Sequence, residues 1–321
     1  MEWGLGHTVR LVPFISQALV EGHKVILASD GSSLDFLRHR FPSLPWIRFP
    51  FYPVRYPAND RFFRKLIVQV PGILMAIRRN HRQVGEIVSK YNVTRIICDH
   101  RYGLYYPGVH SVFITNQLWL KAPHGWSFGE GLVYWFHRKA LRRFSEIWIA
   151  DYEGVPNLSG LLTHPKRLPE NARYIGPVSR FENVVAERPE YARQFNVLAL
   201  VSGPEPQRTL FENLLKARFK RDNTRAIIFR GLPPVSPDEI PAVTEEGTVL
   251  MVNHATDGHL AWHILEASEI ICRPGNSTLS DLNFFGKSAL LVPTPGQTEQ
   301  EYVARHLEAL GTFKVIEQAD L

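Results

Sequence analysis

The sequence predicts an α/β protein built as two layered domains, and three observations predict it. Apolar runs of four to six residues recur and alternate with amphipathic stretches long enough for helices, the pattern of parallel sheets covered by helices. A length of 321 residues accommodates two ordinary domains. The segment 177–196 carries Pro177, Pro189 and many charges, which makes it the linker between a domain over 1–176 and a domain over 197–321.

Taken in order, the chain opens on Trp3-Gly4-Leu5-Gly6-His7-Thr8 and runs straight into a helix. That helix places Leu11, Phe14, Ile15, Ala18 and Leu19 on one face and stops at Gly22. Buried strands are expected over 24–29, 95–98, 111–114 and 146–150 in the first half. The second half repeats the theme over 197–201, 226–229, 249–252, 269–272 and 289–292, with helices between. No short repeat and no low-complexity segment interrupts the pattern.

Composition narrows the class. Hydrophobic residues at 45% and charged residues at 21% exclude disorder and fibre. The best apolar stretch, 67–77, is too short to span a bilayer and is broken by Gln69, Pro71 and Gly72. The opening Met1-Glu2-Trp3-Gly4, with Arg10 where an apolar run would lie, is not the pattern of a signal peptide. Cys98 and Cys272 lie far apart inside strand-like runs, against a disulfide framework or a cysteine zinc site. Together these predict a soluble, cytoplasmic protein.

The net charge of +6 hides an asymmetry. Residues 1–175 hold 23 Lys and Arg against 12 Asp and Glu, and residues 176–321 hold 14 against 19. A basic first half suits an anionic surface or an anionic acceptor. A nucleic-acid partner is not expected, because no recognition motif accompanies the charge.

Four glycine-bearing turns stand at strand ends, where open α/β sheets bind ligands. In the first, Gly4 and Gly6 let the backbone approach a ligand, and His7 at the helix start is a candidate general base. A helix entry with an incidental histidine remains the alternative. In the second, Val201-Ser202-Gly203-Pro204, Ser202 and Gly203 could offer a hydroxyl and an N–H to a phosphate; a tight turn explains the same residues. In the third, Arg273 ends a strand and Gly275, Asn276, Ser277 and Thr278 lead into a helix, whose start suits an anion. Asp281, one turn in, could accept from ribose hydroxyls, or form a capping box with Thr278. In the fourth, Gln297, Gln300 and Glu301 follow a buried strand and suit the reading of sugar hydroxyls; a solvated loop is the alternative.

Several signals are missing. No Walker A sequence, no G-x-G-x-x-G and no Asp-x-Asp pair occurs, which disfavours a P-loop enzyme, a nicotinamide enzyme and a metal-held diphosphate. His259 and His263 have i,i+4 spacing near His254 and Asp257, but no other metal ligand set accompanies them.

The four turns, in this order, resemble those of the two-domain (GT-B) glycosyltransferases. The nearest group has a glycosyltransferase 28-type C-terminal domain and includes the N-acetylglucosaminyltransferase of peptidoglycan lipid intermediate II. The resemblance rests on 271–278, on 291–302 and on the Gly-Leu-Gly-His opening. It implies two Rossmann-like domains facing a cleft. Because such proteins begin with a strand ahead of the glycine loop and end in further helices, a first strand and a last helix are expected to be missing here. It implies an inverting, metal-independent transfer from a nucleotide sugar, a UDP-sugar above all, and no resident cofactor. His7 matches the histidine that activates the acceptor, with Asp99 a candidate partner. Ser202 and Gly203 match the donor-side loop, the residues 275–278 the diphosphate loop, and Asp281 the ribose ligand. Gln300 and Glu301 match a Gln-Gln pair that reads the donor sugar, with Glu301 departing from it. Asn116 and Gln117 match the acceptor side. The competing readings are a nucleotide-sugar hydrolase or epimerase on the same fold, and a non-catalytic nucleotide-sugar-binding protein.

A last pattern concerns place. Arg61, Arg64, Lys65, Arg78, Arg79 and Arg82 occur without an acidic residue among Phe62, Phe63, Leu66, Ile73, Leu74 and Met75. Trp46, Phe49, Phe51, Tyr52 and Tyr56 precede them, and Trp126, Tyr134, Trp135 and Phe136 form a second stretch up to Arg143. Basic residues beside aromatics suit an anionic membrane interface, so peripheral attachment to the inner face and a lipid-linked acceptor are expected. Burial of these aromatics in the core is the alternative.

Overall fold

The computed structural model describes residues 6–50, 62–120, 130–232 and 243–321. Expectations that rest on Gly4, Phe51, Tyr52, Tyr56, Arg61 and Trp126 lie outside the described residues.

In chain order, the first half runs α1 (Gly6–Val20), β1 (Leu27–Ser29), α2 (Gly31–Arg40), β2 (Trp46–Arg48), α3 (Phe62–Tyr91), β3 (Arg95–Asp99), β4 (His110–Thr115), α4 (Glu130–Leu141), β5 (Glu146–Ile149) and β6 (Ala172–Tyr174). The second half runs β7 (Val197–Leu200), α5 (Gln207–Arg221), β8 (Ala226–Phe229), β9 (Val243–Glu246), β10 (Val249–Val252), α6 (Asp257–Glu266), β11 (Glu269–Cys272), α7 (Asn276–Phe284), β12 (Leu290–Leu291), α8 (Thr298–Ala309) and β13 (Lys314–Val315). No helix or strand falls between β6 and β7, so the segment 177–196 is irregular throughout.

The chain divides into two compact units. The first takes Ile26–Leu34 and Pro45–Pro177. Its main sheet has the order β3-β4-β5-β6, parallel throughout, and β1 pairs in parallel with β2. Parallel strands are covered on both faces, so β4 is buried from Ser111 to Thr115 with the apolar Val112, Phe113 and Ile114 at its centre. Phe113, Leu118, Leu141, Ile147 and Ile149 form the centre of the core. Gly103 allows the turn after β3 to approach α3, since a Cβ there would stand 2.8 Å from the Ile77 carbonyl oxygen.

The second unit takes Val178–Leu321 together with the chain through α1 to Val25 and Asp35–Leu44. Its sheet has the order β13-β12-β11-β7-β8-β10-β9, parallel except for β9. The inner strands β8 and β10 are buried at every position, and β9, with Glu245 and Glu246, is an exposed edge whose charges discourage further pairing. Ala199, Phe211, Leu215, Ile228, Ile271 and Val292 fill the core on the α5 side.

The α1 helix ends as the sequence predicts. Gly22 takes φ +78°, and the N–H groups of Gly22 and His23 bond back to Leu19 and Ala18 at 3.0 and 2.9 Å. Its buried face differs from the periodicity: Thr8, Val9, Arg10 and Val12 are buried, whereas Leu19 is 39% exposed.

Candidate functional site

The second unit gathers its candidate residues where the parallel strands end. The turn after β7 places Ser202 at the surface and Gly203 at φ +104°, a conformation that side-chain-bearing residues rarely adopt. Neighbouring turns are cross-tied: Val201 N–H donates to Phe229 at 2.8 Å, Arg230 N–H to Val252 at 2.9 Å and Leu232 N–H to Asn253 at 2.9 Å.

The turn after β11 leads into α7 with Gly275 as its N-cap, and no side chain caps the helix start. This corrects the capping-box expectation: the helix begins at Asn276, so Thr278 lies inside it and cannot cap it. The first turn is held instead by α1. Arg10 donates from Nη2 to Asn276 Oδ1 at 2.9 Å, and Ser277 Oγ donates to the Gly6 carbonyl oxygen at 2.8 Å.

Arg273, expected as a donor ligand, is 1% exposed. Its Nη1 donates to the Val292 and Pro293 carbonyls at 2.9 and 3.1 Å, and its Nη2 to Gln318 Oε1 at 2.5 Å. The guanidinium lies over the Phe211 ring at 4.0 Å, and burial lowers its pKa to about 10. It therefore works as an internal strut joining the ends of β11 and β12, which is a correction of its expected role.

Asp281 is also buried, at 5% exposure. Ser179 Oγ donates to its Oδ1 at 2.7 Å, and Arg180 Nε lies 3.4 Å from its Oδ2. Burial raises its pKa, opposed chiefly by the Arg180 charge. Arg180 also pairs with Asp257, 3.7 Å away, which in turn meets Arg40 at 3.3 Å. Asp281 thus fastens the segment after Pro177 to α7.

In the fourth turn the polar side chains reach back to their own loop. Gln300 Oε1 accepts from Thr294 N–H at 2.9 Å, Glu301 Oε1 accepts from Gly296 N–H at 2.8 Å, and Gln297 is exposed as the N-cap of α8. The histidines near α6 form a packing cluster. His263 is fully buried, its Nδ1 lies 2.7 Å from the His259 carbonyl, Phe229 and Tyr191 pack on its ring, and burial lowers its pKa.

The first unit has a polar cluster at the ends of β3 and β4. Asp99 and Asn116 are buried and Gln117 is half-buried. Thr115 Oγ1 donates to the Gln117 carbonyl at 3.0 Å and accepts from the Gln117 N–H at 2.9 Å. His100, which the sequence reading missed, joins them: its Nε2 lies 3.0 Å from Thr115 Oγ1 and 3.3 Å from Asn116 Oδ1. Its φ of +52° is uncommon for a histidine and tends to mark functional turns. His7 is a half-buried residue of α1 and belongs to the second unit.

Comparison with known proteins bears on the fold and on the second half of the chain. Residues 250–321 match the model of the glycosyltransferase family 28 C-terminal domain. A 66-residue stretch is 41% identical to the UDP-N-acetylglucosamine--N-acetylmuramyl-(pentapeptide) pyrophosphoryl-undecaprenol N-acetylglucosamine transferase of Caldanaerobacter subterraneus subsp. tengcongensis. That stretch spans 20% of this chain and 18% of the relative. Among solved structures, the glycotransferase of kitacinnamycin aligns with a TM-score of 0.63 at 14% identity, over 98% of this chain and 84% of its own. The spinosyn rhamnosyltransferase complexed with thymidine diphosphate aligns with a TM-score of 0.62 at 15% identity, over 97% and 83%. The resemblance read from the turns is thereby borne out over residues 250–321, which match the family 28 C-terminal domain, while the chain as a whole has the α/β fold of the GT-B glycosyltransferases.

Proposed function

We propose that this protein is an inverting glycosyltransferase that moves a sugar from a UDP-sugar to an acceptor hydroxyl without a metal ion. The observation that carries the reading is the start of α7. Inside the segment matched by the family 28 domain, a helix begins at the end of a parallel strand with glycine as its cap and no side chain capping it. Such a start presents N–H groups and the positive end of the helix dipole to an anion. It would hold the departing diphosphate, supplying electrostatically what a cation supplies elsewhere.

The acceptor oxygen attacks the anomeric carbon from the face opposite the leaving group. The new carbon–oxygen bond forms as the bond to phosphate breaks, and the nucleoside diphosphate leaves with the electron pair. His7 takes the hydroxyl proton. Asn116 and Gln117 are the candidates for holding the acceptor. The curated relative's own donor is a UDP-sugar, and its acceptor is joined through pyrophosphate to undecaprenol. With the basic first half, this supports an anionic, lipid-linked acceptor and peripheral attachment to the inner membrane face. Among the described residues, no helix is long and apolar enough to cross a membrane.

Incubation with UDP-sugars, with and without an alcohol acceptor, tests the reading. UDP release that requires the acceptor, survives EDTA and yields an inverted anomeric centre by NMR is expected. Free sugar appearing without an acceptor would make the protein a hydrolase, and retained configuration would overturn the inverting mechanism.

A further inference from the structure

Arg230 follows β8 at the strand ends of the second unit, and its side chain is held in place. Its Nε lies 3.0 Å from both carboxylate oxygens of Glu212, and its Nη1 donates to Asn253 Oδ1 at 2.8 Å. Glu212, whose side chain is only 6% exposed, also receives Arg208 at 3.2 Å. The backbone beneath is equally fixed. Gly231 takes φ +63° and a Cβ there would stand 2.6 Å from the Val201 carbonyl oxygen, so the segment lies tight against the turn that carries Ser202 and Gly203. The side chain of Arg230 keeps 27% exposure, and its Nη2 makes no hydrogen bond among the described residues.

The position selects the ligand group. In the sheet order β11-β7-β8-β10, the end of β8 lies two strand spacings from the end of β11 and that of β10 three, or about 10–14 Å. That is the reach of a nucleoside diphosphate whose phosphates rest on the start of α7. The charge selects further. Glu205 pairs with Arg208 from the exposed side, which leaves the Glu212 carboxylate to balance Arg230. A guanidinium balanced by a carboxylate keeps its directional N–H donors, and its distance from the start of α7 sets it at the base rather than at the phosphates. Asn253 adds amide donors beside it, because its Oδ1 is already engaged by Arg230.

We infer that Arg230, aimed by Glu212 and Asn253, reads the carbonyl edge of the donor's pyrimidine base. The inference rests on the nucleotide-sugar reading above and assigns these three residues to base selection rather than to chemistry.

Titration calorimetry on the full chain with UDP and with inorganic pyrophosphate tests it. Arg230→Gln should weaken UDP about tenfold or more and leave pyrophosphate within about twofold. Glu212→Gln, which frees the guanidinium to swing, should weaken UDP in the same sense. If Arg230→Gln lowers the melting temperature sharply, Asn253→Ala carries the test with the same expectation. Unchanged UDP affinity overturns the inference, and so does an equal loss for UDP and pyrophosphate, which would make Arg230 a phosphate ligand. A wild-type protein that binds neither probe overturns the nucleotide-sugar reading together with this one.

Discussion

Ser277 donates its hydroxyl proton to the carbonyl oxygen of Gly6 at 2.8 Å, so the first turn of α7 is tied to the first turn of α1. A Cβ on Gly6 would stand 3.1 Å from that same hydroxyl oxygen. Gly6→Ala should therefore lower stability by about 1 kcal/mol, through loss or distortion of the bond. In a Ser277→Ala background the same substitution should cost less, because the crowding atom is gone. Equal losses in both backgrounds, measured by thermal unfolding, would show that the contact is not what limits residue 6.

Glu146 accepts from two donors, Trp148 Nε1 at 2.6 Å and Arg173 Nε at 2.8 Å, and His110 Nε2 lies 2.9 Å away. The Trp148 and Arg173 hydrogen bonds lower its pKa from 4.5 to about 2. A depressed carboxylate contributes stability above its ordinary pKa and loses it as pH falls through the folded value. Glu146→Gln should thus be less stable than wild type by about 1 kcal/mol at neutral pH. The gap should close as pH falls from 4.5 toward about 2. Denaturant unfolding across that range measures it.

Asp281 behaves in the opposite sense, because burial raises its pKa above 3.8. Its protonated form favours the folded state, so this contribution is full below the ordinary value and is lost as pH rises through the folded one. The melting temperature of Asp281→Asn should rise relative to wild type as pH climbs from that ordinary value toward neutrality. Asp281→Ala also tests the ribose role. A loss of about 1–3 kcal/mol in UDP affinity supports it, whereas unchanged affinity with a lower melting temperature leaves only the tie to Ser179 and Arg180.

If His7 is the base, His7→Ala should lower turnover about 10²–10⁴-fold while UDP affinity survives. Near-normal turnover would remove His7 from the mechanism.

Leu74 and Met75 on α3 are 51% and 64% exposed, and Trp135 and Phe136 on α4 are 53% and 58% exposed. The aromatics of α4 are therefore not all core, while Phe49 is, at 1% exposure. Arg78, Arg79 and Arg82 are exposed beside them in sequence. Co-sedimentation with anionic vesicles at low salt should detect binding that Arg78→Glu and Arg79→Glu weaken, each cation contributing about 1 kcal/mol. Equal binding to neutral vesicles, or none to either, would point to a soluble acceptor.

The strands legible in the sequence are those buried on both faces. Ala226-Ile-Ile-Phe229 and Val249-Leu-Met-Val252 have no polar member to disguise them, whereas Val243-Thr-Glu-Glu246 reads as loop because an edge strand tolerates charge. Strands β2, β6 and β13 escaped for a related reason, being edge strands of only two or three residues with little apolar signal. At the site, residue types were legible and partners were not. Arg273 ends a strand like a ligand, but the carbonyls it satisfies lie some twenty positions away. Thr278 and Asp281 have capping-box spacing, yet the helix starts earlier at Asn276, and Asp281 meets Ser179 a hundred residues back. His100 gave no signal because what sets it apart, a positive φ and contacts with Thr115 and Asn116 some fifteen positions on, exists only in the folded chain.

The second unit is discontinuous: α1 is made early in synthesis, and its partner α7 emerges after most of the chain. Until then Arg10 lacks Asn276, and the newborn helix has an uncovered face that the sequence cannot bury locally. Order of synthesis and order of folding are therefore out of step. Cutting the chain at residue 177 would not separate two self-sufficient halves. A fragment beginning at Val178 would lose the helix that closes over Asn276 and Ser277, and supplying residues 6–25 as a separate peptide should restore part of its stability.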